Sequence, residues 1–137
     1  MKTIAISGGF DPIHSGHIKL IEQASHYGNV IVLLNSDEWL TRKKGAPFMK
    51  WDERAEIIQS IKGVSLVLPT DDRDGTVCAA LRKIKPDFFA NGGDRKEENT
   101  PELDLCKELG IKPLFNIGGG KIQSSSKLLK DYVLKSS

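Results

Sequence analysis

Two periodicities alternate along the chain. Residues 3–6 and 30–35 are short, continuous, largely β-branched apolar runs, the pattern of strands covered on both faces. Residues 64–68, closed by Pro69, then 87–91 and 112–117 repeat the pattern and predict three more strands. Between them the apolar spacing becomes helical. Ile18, Ile21 and Ala24 predict a first amphipathic helix, and Ile57, Ile58 and Ile61 the inward side of a helix over 51–61. Ser36-Asp37-Glu38 predicts a capped turn into a short helical piece ending at Arg42-Lys43-Lys44-Gly45, with a loop over 46–49. Asp74 or Thr76 is expected to cap the helix that Lys85-Pro86 stops. Thr100-Pro101 opens another helix, ended by Gly110, and Leu128, Leu129, Tyr132 and Val133 mark a last one.

Strand and helix thus alternate without repeats. The expectation is an α/β fold: a Rossmann-like, doubly wound, five-stranded parallel sheet with helices on both faces, in a single domain over 1–137. Ligands of such sheets bind beyond the carboxyl ends of the strands, where strand order reverses. The polar loops after the first, fourth and fifth strands should all lie on that edge.

Composition narrows the class. A chain 39% hydrophobic and 28% charged has the balance of a soluble globular protein, and it has no run long enough to span a bilayer. Met-Lys-Thr followed at once by a short strand is too brief for a signal peptide, so a cytoplasmic protein away from membranes is expected. A net charge of +2 gives no argument for a nucleic-acid partner. Cys78 and Cys106 lack paired spacing for metal or redox chemistry and read as buried thiols. His26, late in the first helix, favours that helix's negative end.

Candidate chemistry concentrates between Ser7 and His17. Gly8-Gly9 leads from a strand into a helix start, where small residues admit phosphate oxygens and the first-turn N–H groups face the anion. His14 and His17, with Gly16 beside the second, stand where such phosphates would lie and can donate through ring nitrogens. Lys43, Lys44 and Arg54 can neutralise β- and γ-phosphate charge, and Ser124, Ser125 and Ser126 offer hydroxyls and amides to the same anion. Each also has a plainer reading: a solvated basic loop, a tight glycine turn at Gly92-Gly93-Asp94, a serine helix cap. Trp39 and Trp51, flanking the basic loop, read as packing residues.

Gly9-Phe10-Asp11 with His14-x-x-His17 resembles the G-x-F-D-x-x-H-x-G-H signature of the cytidylyltransferase group within the HxGH nucleotidyltransferases. Asn35-Ser36-Asp37, Lys44-Gly45, Asp52-Glu53-Arg54, Gly92-Gly93-Asp94 and Gln123-Ser124-Ser125-Ser126 follow in that family's order. The resemblance implies that His14 and His17 stabilise the transition state at the α-phosphate, with Lys44 as a third catalytic group. It implies a nucleotide site of Gly8, Gly9, Phe10, Asp11, Gly16, Asn91, Gly92, Gly93, Asp94, Arg95, Gln123, Ser124, Ser125 and Ser126. Lys43 and Arg54 become acceptor or phosphate contacts. Magnesium as cofactor and a homodimer are likewise implied. Two features bear on specificity. Gly118-Gly119-Gly120-Lys121 stands where the glycerol-3-phosphate enzymes carry an arginine, and a lysine lacks the planar fork. Lys44-Gly45 and Gly92-Gly93-Asp94 are similar to the heptose-phosphate branch, which includes adenylyl transfer.

The expected activity is transfer of a nucleotidyl group, CMP favoured, from its triphosphate to a small phosphate monoester such as glycerol 3-phosphate or a sugar phosphate, with release of pyrophosphate. The rivals are adenylyl transfer from ATP, of the heptose-phosphate type, and a catalytically silent nucleotide sensor. A flavodoxin-like electron carrier is a further one, and would purify yellow.

Overall fold

The computed structural model describes residues 1–92 and 101–117. Their elements run β1 (Thr3–Gly8), α1 (Ser15–Ala24), β2 (Asn29–Leu34), α2 (Asp37–Lys44), α3 (Trp51–Gln59), β3 (Val64–Pro69), α4 (Cys78–Ile84), β4 (Phe88–Gly92), α5 (Pro101–Leu109) and β5 (Lys112–Ile117). The sheet is five-stranded in the order β3-β2-β1-β4-β5, every neighbouring pair parallel. The chain therefore winds outward from β1 to β3, crosses back to β4 on the other side of β1, and winds outward again. Crossovers of one hand that reverse direction must change faces, and the two cores show it. Ile4, Ile6, Val30, Val32 and Leu34 pack under Leu20, Ile21 and Ala24 of α1 and Ile58 of α3. Ala5 and Leu33 point the other way, to Ala80 and Leu81 of α4 and Leu105 and Cys106 of α5. The expected doubly wound sheet is the observed one.

Reversal falls between β1 and β4. Ile6 pairs with Ala90, and two residues further on β1 ends at Gly8 and β4 at Gly92. On the other flank Gly8 pairs with Leu34. The carboxyl ends of three strands are thus level at the edge that carries the polar loops.

Three local expectations change. Ile57 stands 36% exposed while Ile58 is fully buried, because the inner face of α3 carries Trp51, Arg54, Ala55 and Ile58 at helical spacing. An arginine within that stripe hides it from a purely apolar count. The cap of α4 is Val77, without a side-chain bond. Asp74 instead accepts from the Thr76 amide and hydroxyl, and Thr76 Oγ1 from the Cys78 amide, so both residues shape the turn ahead of the helix. The first helix closes at Ala24, leaving His26 just beyond its cap at Ser25. Cys106 is buried and Cys78 half-buried, both as free thiols, and burial pushes the Cys106 thiol up to about 11. Among the described residues no helix is long and apolar enough to cross a membrane.

Candidate active site

The turn leaving β1 is pinned from two sides. Arg54, 1% exposed, reaches from α3 into the gap between β1 and β2. Its Nη1 donates to the Gly9 carbonyl (2.8 Å) and the Asn35 carbonyl (2.9 Å), its Nε to the Met49 carbonyl (2.9 Å), and its Nη2 to Asp37 Oδ1 (2.7 Å). On the other side the buried Asp11 carboxylate accepts from the amides of Phe48 (2.6 Å) and Met49 (2.7 Å) and pairs with Lys44 Nζ at 3.1 Å. Lys44 also donates to the Asp11 carbonyl. Two ion pairs therefore bracket Gly9-Phe10-Asp11, and between them Phe10 holds φ at 50°. That conformation costs a non-glycine residue on the order of 1–3 kcal/mol and persists only where surroundings over-determine it. Here the clamps and a buried ring do so.

Phe10's ring meets the edge of His17, centroids 4.6 Å apart. His14 is the N-cap of α1, its extended backbone (φ −147°) handing over to the helix. Its Nδ1 accepts from the Gly16 amide at 3.1 Å, while its own amide donates to His17 Nδ1 at 3.1 Å. The spacing i, i+3 is that of a capping box, built here from two imidazoles. An Nδ1 that accepts carries no proton, so these bonds assign both rings the tautomer with the proton on Nε2. The rings stack at 3.9 Å and 24°. Two positive charges that close would repel by about 4 kcal/mol at a near-surface effective dielectric, so the arrangement suits neutral rings. Each amide polarises the imidazole it bonds, which strengthens the Nε2–H as a donor.

This differs from the bare helix-end site the sequence suggests. The Gly16 amide is taken by His14 Nδ1, and the His17 and Ile18 amides by the His14 carbonyl. The imidazoles, and not open amides, therefore form the helix start. Glycine at 16 follows from the same geometry, since a Cβ there would lie 2.9 Å from His14 Cε1. At Gly9 a Cβ would lie 2.9 Å from Leu40 Cδ2, and at Gly8 one would press on the Phe10 ring at 3.2 Å.

Of the expected site residues, Gly8, Gly9, Phe10, Asp11, His14, Gly16, His17 and Lys44 are brought together around this turn. Asp11 and Arg54 depart from their expected roles. The Asp11 carboxylate is spent on the 48–49 amides and Lys44, and Arg54 grips three carbonyls and a carboxylate inside the protein instead of offering its fork to a phosphate. Lys44 is 19% exposed at its side chain, beside the turn. Lys43 lies on the rim with its Nζ 4.7 Å from the Trp39 ring. Trp51 packs, donating Nε1 to the Leu34 carbonyl at 3.1 Å. Asn91 and Gly92 close β4. Gly93, Asp94, Arg95, Lys121, Gln123, Ser124, Ser125, Ser126 and the last expected helix lie outside the described residues.

Asp72 is a residue whose part the motifs do not announce. Buried after β3, it accepts from Asn35 Nδ2 (3.1 Å), the Ser36 amide (2.8 Å) and Ser36 Oγ (2.7 Å). Ser36 Oγ in turn caps α2 by accepting from the Trp39 amide at 3.0 Å. The sequence offers Asp72 only as one of several polar residues that could contact an acceptor, in a polar loop just beyond a strand end.

Among the described residues, no group of three His, Cys, Asp or Glu converges as a metal site. Asp11, Asp37 and Asp72 all spend carboxylate oxygens on protein donors. Such a donor set fits a magnesium ion that enters on triphosphate oxygens rather than one caged by the protein.

A family model described as cytidylyltransferase-like matches residues 5–113. The bifunctional protein HldE of Gluconobacter oxydans is 33% identical over 114 residues, 81% of this chain and 23% of its own length. The chain thus spans about a quarter of the HldE proteins it matches. The FAD synthase of Ferroglobus placidus is 30% identical over 112 residues, 82% of this chain and 72% of its own length. Among solved structures, a lipopolysaccharide core biosynthesis protein from Thermoplasma volcanium superposes with TM-score 0.70 at 21% identity, over 85% of this chain and 94% of the other. At that identity the likeness speaks for the fold.

Proposed function

Because this chain belongs to the cytidylyltransferase-like family of nucleotidyltransferases, we propose that it moves a nucleotidyl group from a nucleoside triphosphate to a small phosphate monoester and releases pyrophosphate. The observation that carries the reading is the pair of stacked imidazoles at the β1–β4 reversal, each with its proton assigned to Nε2 by an amide on Nδ1. Two neutral donors side by side suit the non-bridging oxygens of an α-phosphate, whose charge grows as the fifth oxygen approaches.

A phosphate monoester is largely ionised at neutral pH, its second pKa being about 6. Its oxygen can attack the α-phosphorus without a general base. The new P–O bond forms as the bond to the β-phosphate breaks, and both electrons of the broken bond leave with pyrophosphate. The protein's work is alignment and charge stabilisation. His14 and His17 serve the α-phosphate, and Lys44, steered by Asp11, serves the departing phosphates. Lys43 on the rim, together with Asn91, Gly92, Gly93, Asp94, Arg95, Gln123, Ser124, Ser125 and Ser126, completes the nucleotide and acceptor contacts in this reading. Magnesium bound to the triphosphate would lower its charge on entry. A homodimer belongs to the same reading.

For the base, the signature supports CTP, whereas the FAD synthase relative favours ATP, since its product contains an adenosine monophosphate unit. Incubation with CTP, ATP, GTP or UTP, magnesium, and a panel of glycerol, sugar and flavin phosphates, scoring pyrophosphate, tests both. Release that needs one triphosphate together with one monoester is expected. Tight triphosphate binding with no pyrophosphate from any pair would make the chain a sensor.

A further inference from the structure

We infer that Arg54 is a positioning residue that sets the His17 imidazole through the Gly9-Phe10 turn, and not a ligand of the substrate phosphates. The inference rests on the nucleotidyl-transfer reading for its kinetic consequence only. The side chain has no exposed surface, and four of its five N–H groups are engaged within the protein. One guanidinium nitrogen bridges Gly9 of the β1 turn and Asn35 beyond β2, so the spacing of the two strand ends is fixed from a single point. The bond to the Gly9 carbonyl orients the peptide that enters Phe10. That residue then holds φ 50° and lays its ring against His17. His17 Nδ1 in turn accepts from the His14 amide. The path from Arg54 to the donor atoms is therefore a series of direct contacts, with no step longer than one residue.

Lysine keeps the charge but lacks the fork, so Arg54→Lys cannot hold Gly9, Asn35, Met49 and Asp37 together. A misplacement of about 1 Å at a reacting group costs on the order of a hundredfold in rate. The expected result for Arg54→Lys is a kcat lowered about a hundredfold, with KM for triphosphate and acceptor each within about threefold of the parent. Imidazole 15N spectra of the ligand-free protein give the independent readout. The chain has three histidines, and in the parent His14 and His17 should each show an unprotonated Nδ1 and a protonated Nε2. In Arg54→Lys the His17 signals should move toward tautomer averaging while His26 stays unchanged. A raised KM with kcat preserved would overturn the inference in favour of a phosphate contact. So would an unchanged His17 spectrum, whatever the kinetics. Should Arg54→Lys fail to fold, Asp37→Ala removes only the outermost partner of the clamp. It should shift the same His17 signals and lower kcat several-fold, and an unshifted spectrum would again overturn the claim. Failure of the nucleotidyl-transfer reading shows separately, as a parent protein that releases no pyrophosphate from any pair. The spectra decide the inference even then.

Discussion

His17 fills two roles through the two nitrogens of one ring, and substitution separates them. Its Nδ1 accepts the His14 amide, and its Nε2–H is the proposed donor to the α-phosphate. Losing the first is the loss of a helix cap, about 1 kcal/mol; losing the second removes a transition-state donor, about 10²–10³ in turnover. His17→Ala should therefore keep its circular dichroism spectrum and most of its stability while turnover falls by two to three orders of magnitude. Turnover within tenfold of the parent would reject the assignment. Gly16→Ala probes the same geometry from outside the rings. Alanine is the better helix former by up to about 1 kcal/mol, yet its Cβ would meet His14 Cε1 at 2.9 Å. The clash falls on the ring and not on backbone, so it should displace the imidazole from the Gly16 amide and leave the helix backbone in place. The expected outcome is a melting temperature within a few degrees of the parent and turnover down at least about tenfold. The tandem H-x-G-H spacing is legible in the sequence. The capping box inside it is less so, because histidine is an uncommon cap and only the bonds to Nδ1 reveal which nitrogen carries the proton.

At the scale of elements, the site depends on how α2 and α3 are held to the strand ends. Asp72 gathers Asn35, Ser36 and, through its carbonyl, Arg42 Nη2 at 2.8 Å. Ser36→Ala deletes the cap of α2 and the hydroxyl's bond to Asp72 Oδ1, about 1 kcal/mol each. Asp72→Ala strands the Asn35 amide, the Ser36 amide and the Ser36 hydroxyl, each costing about 1–3 kcal/mol if left unpaired in the interior. Urea titration should find Asp72→Ala the less stable of the two by at least about 1 kcal/mol, with an unchanged slope. Equal midpoints would mean that water reaches the strand ends. Alternation of strand and helix was legible across the described residues, because buried parallel strands have no polar face to disguise them. The inner face of α3 was not. Trp51, Arg54 and Ile58 share it, and a charge satisfied by three carbonyls and a carboxylate looks, in a sequence, like a charge meant for solvent. The same confusion makes Arg54 and Asp11 look open to a ligand, although each side chain already holds protein groups.

For the whole molecule, the sheet order is what brings separate stretches of sequence to one place. Reversal between β1 and β4 puts the His14–His17 turn and the β4 end at Gly92 on one edge, with Lys44 joined to that turn through Asp11. A ligand gripped there would tie together both halves of the winding, adding to the join that β1 makes by pairing with β2 and β4. Binding to the native state alone stabilises it by about 2.7 kcal/mol when the ligand is at a hundred times its dissociation constant. For a domain of this size that corresponds to roughly 5–15 °C in melting temperature. The favoured triphosphate with magnesium should produce a shift in that range, and the other three markedly smaller ones. In His17→Ala the shift should largely survive, because the imidazole is proposed to act on charge that develops as the bond breaks, whereas ground-state affinity comes from the phosphate and base contacts. A variant that loses both turnover and thermal shift would place His17 in ground-state binding instead. A parent protein that no triphosphate stabilises would remove the nucleotide from the edge altogether, and with it the reason for holding two imidazoles in register.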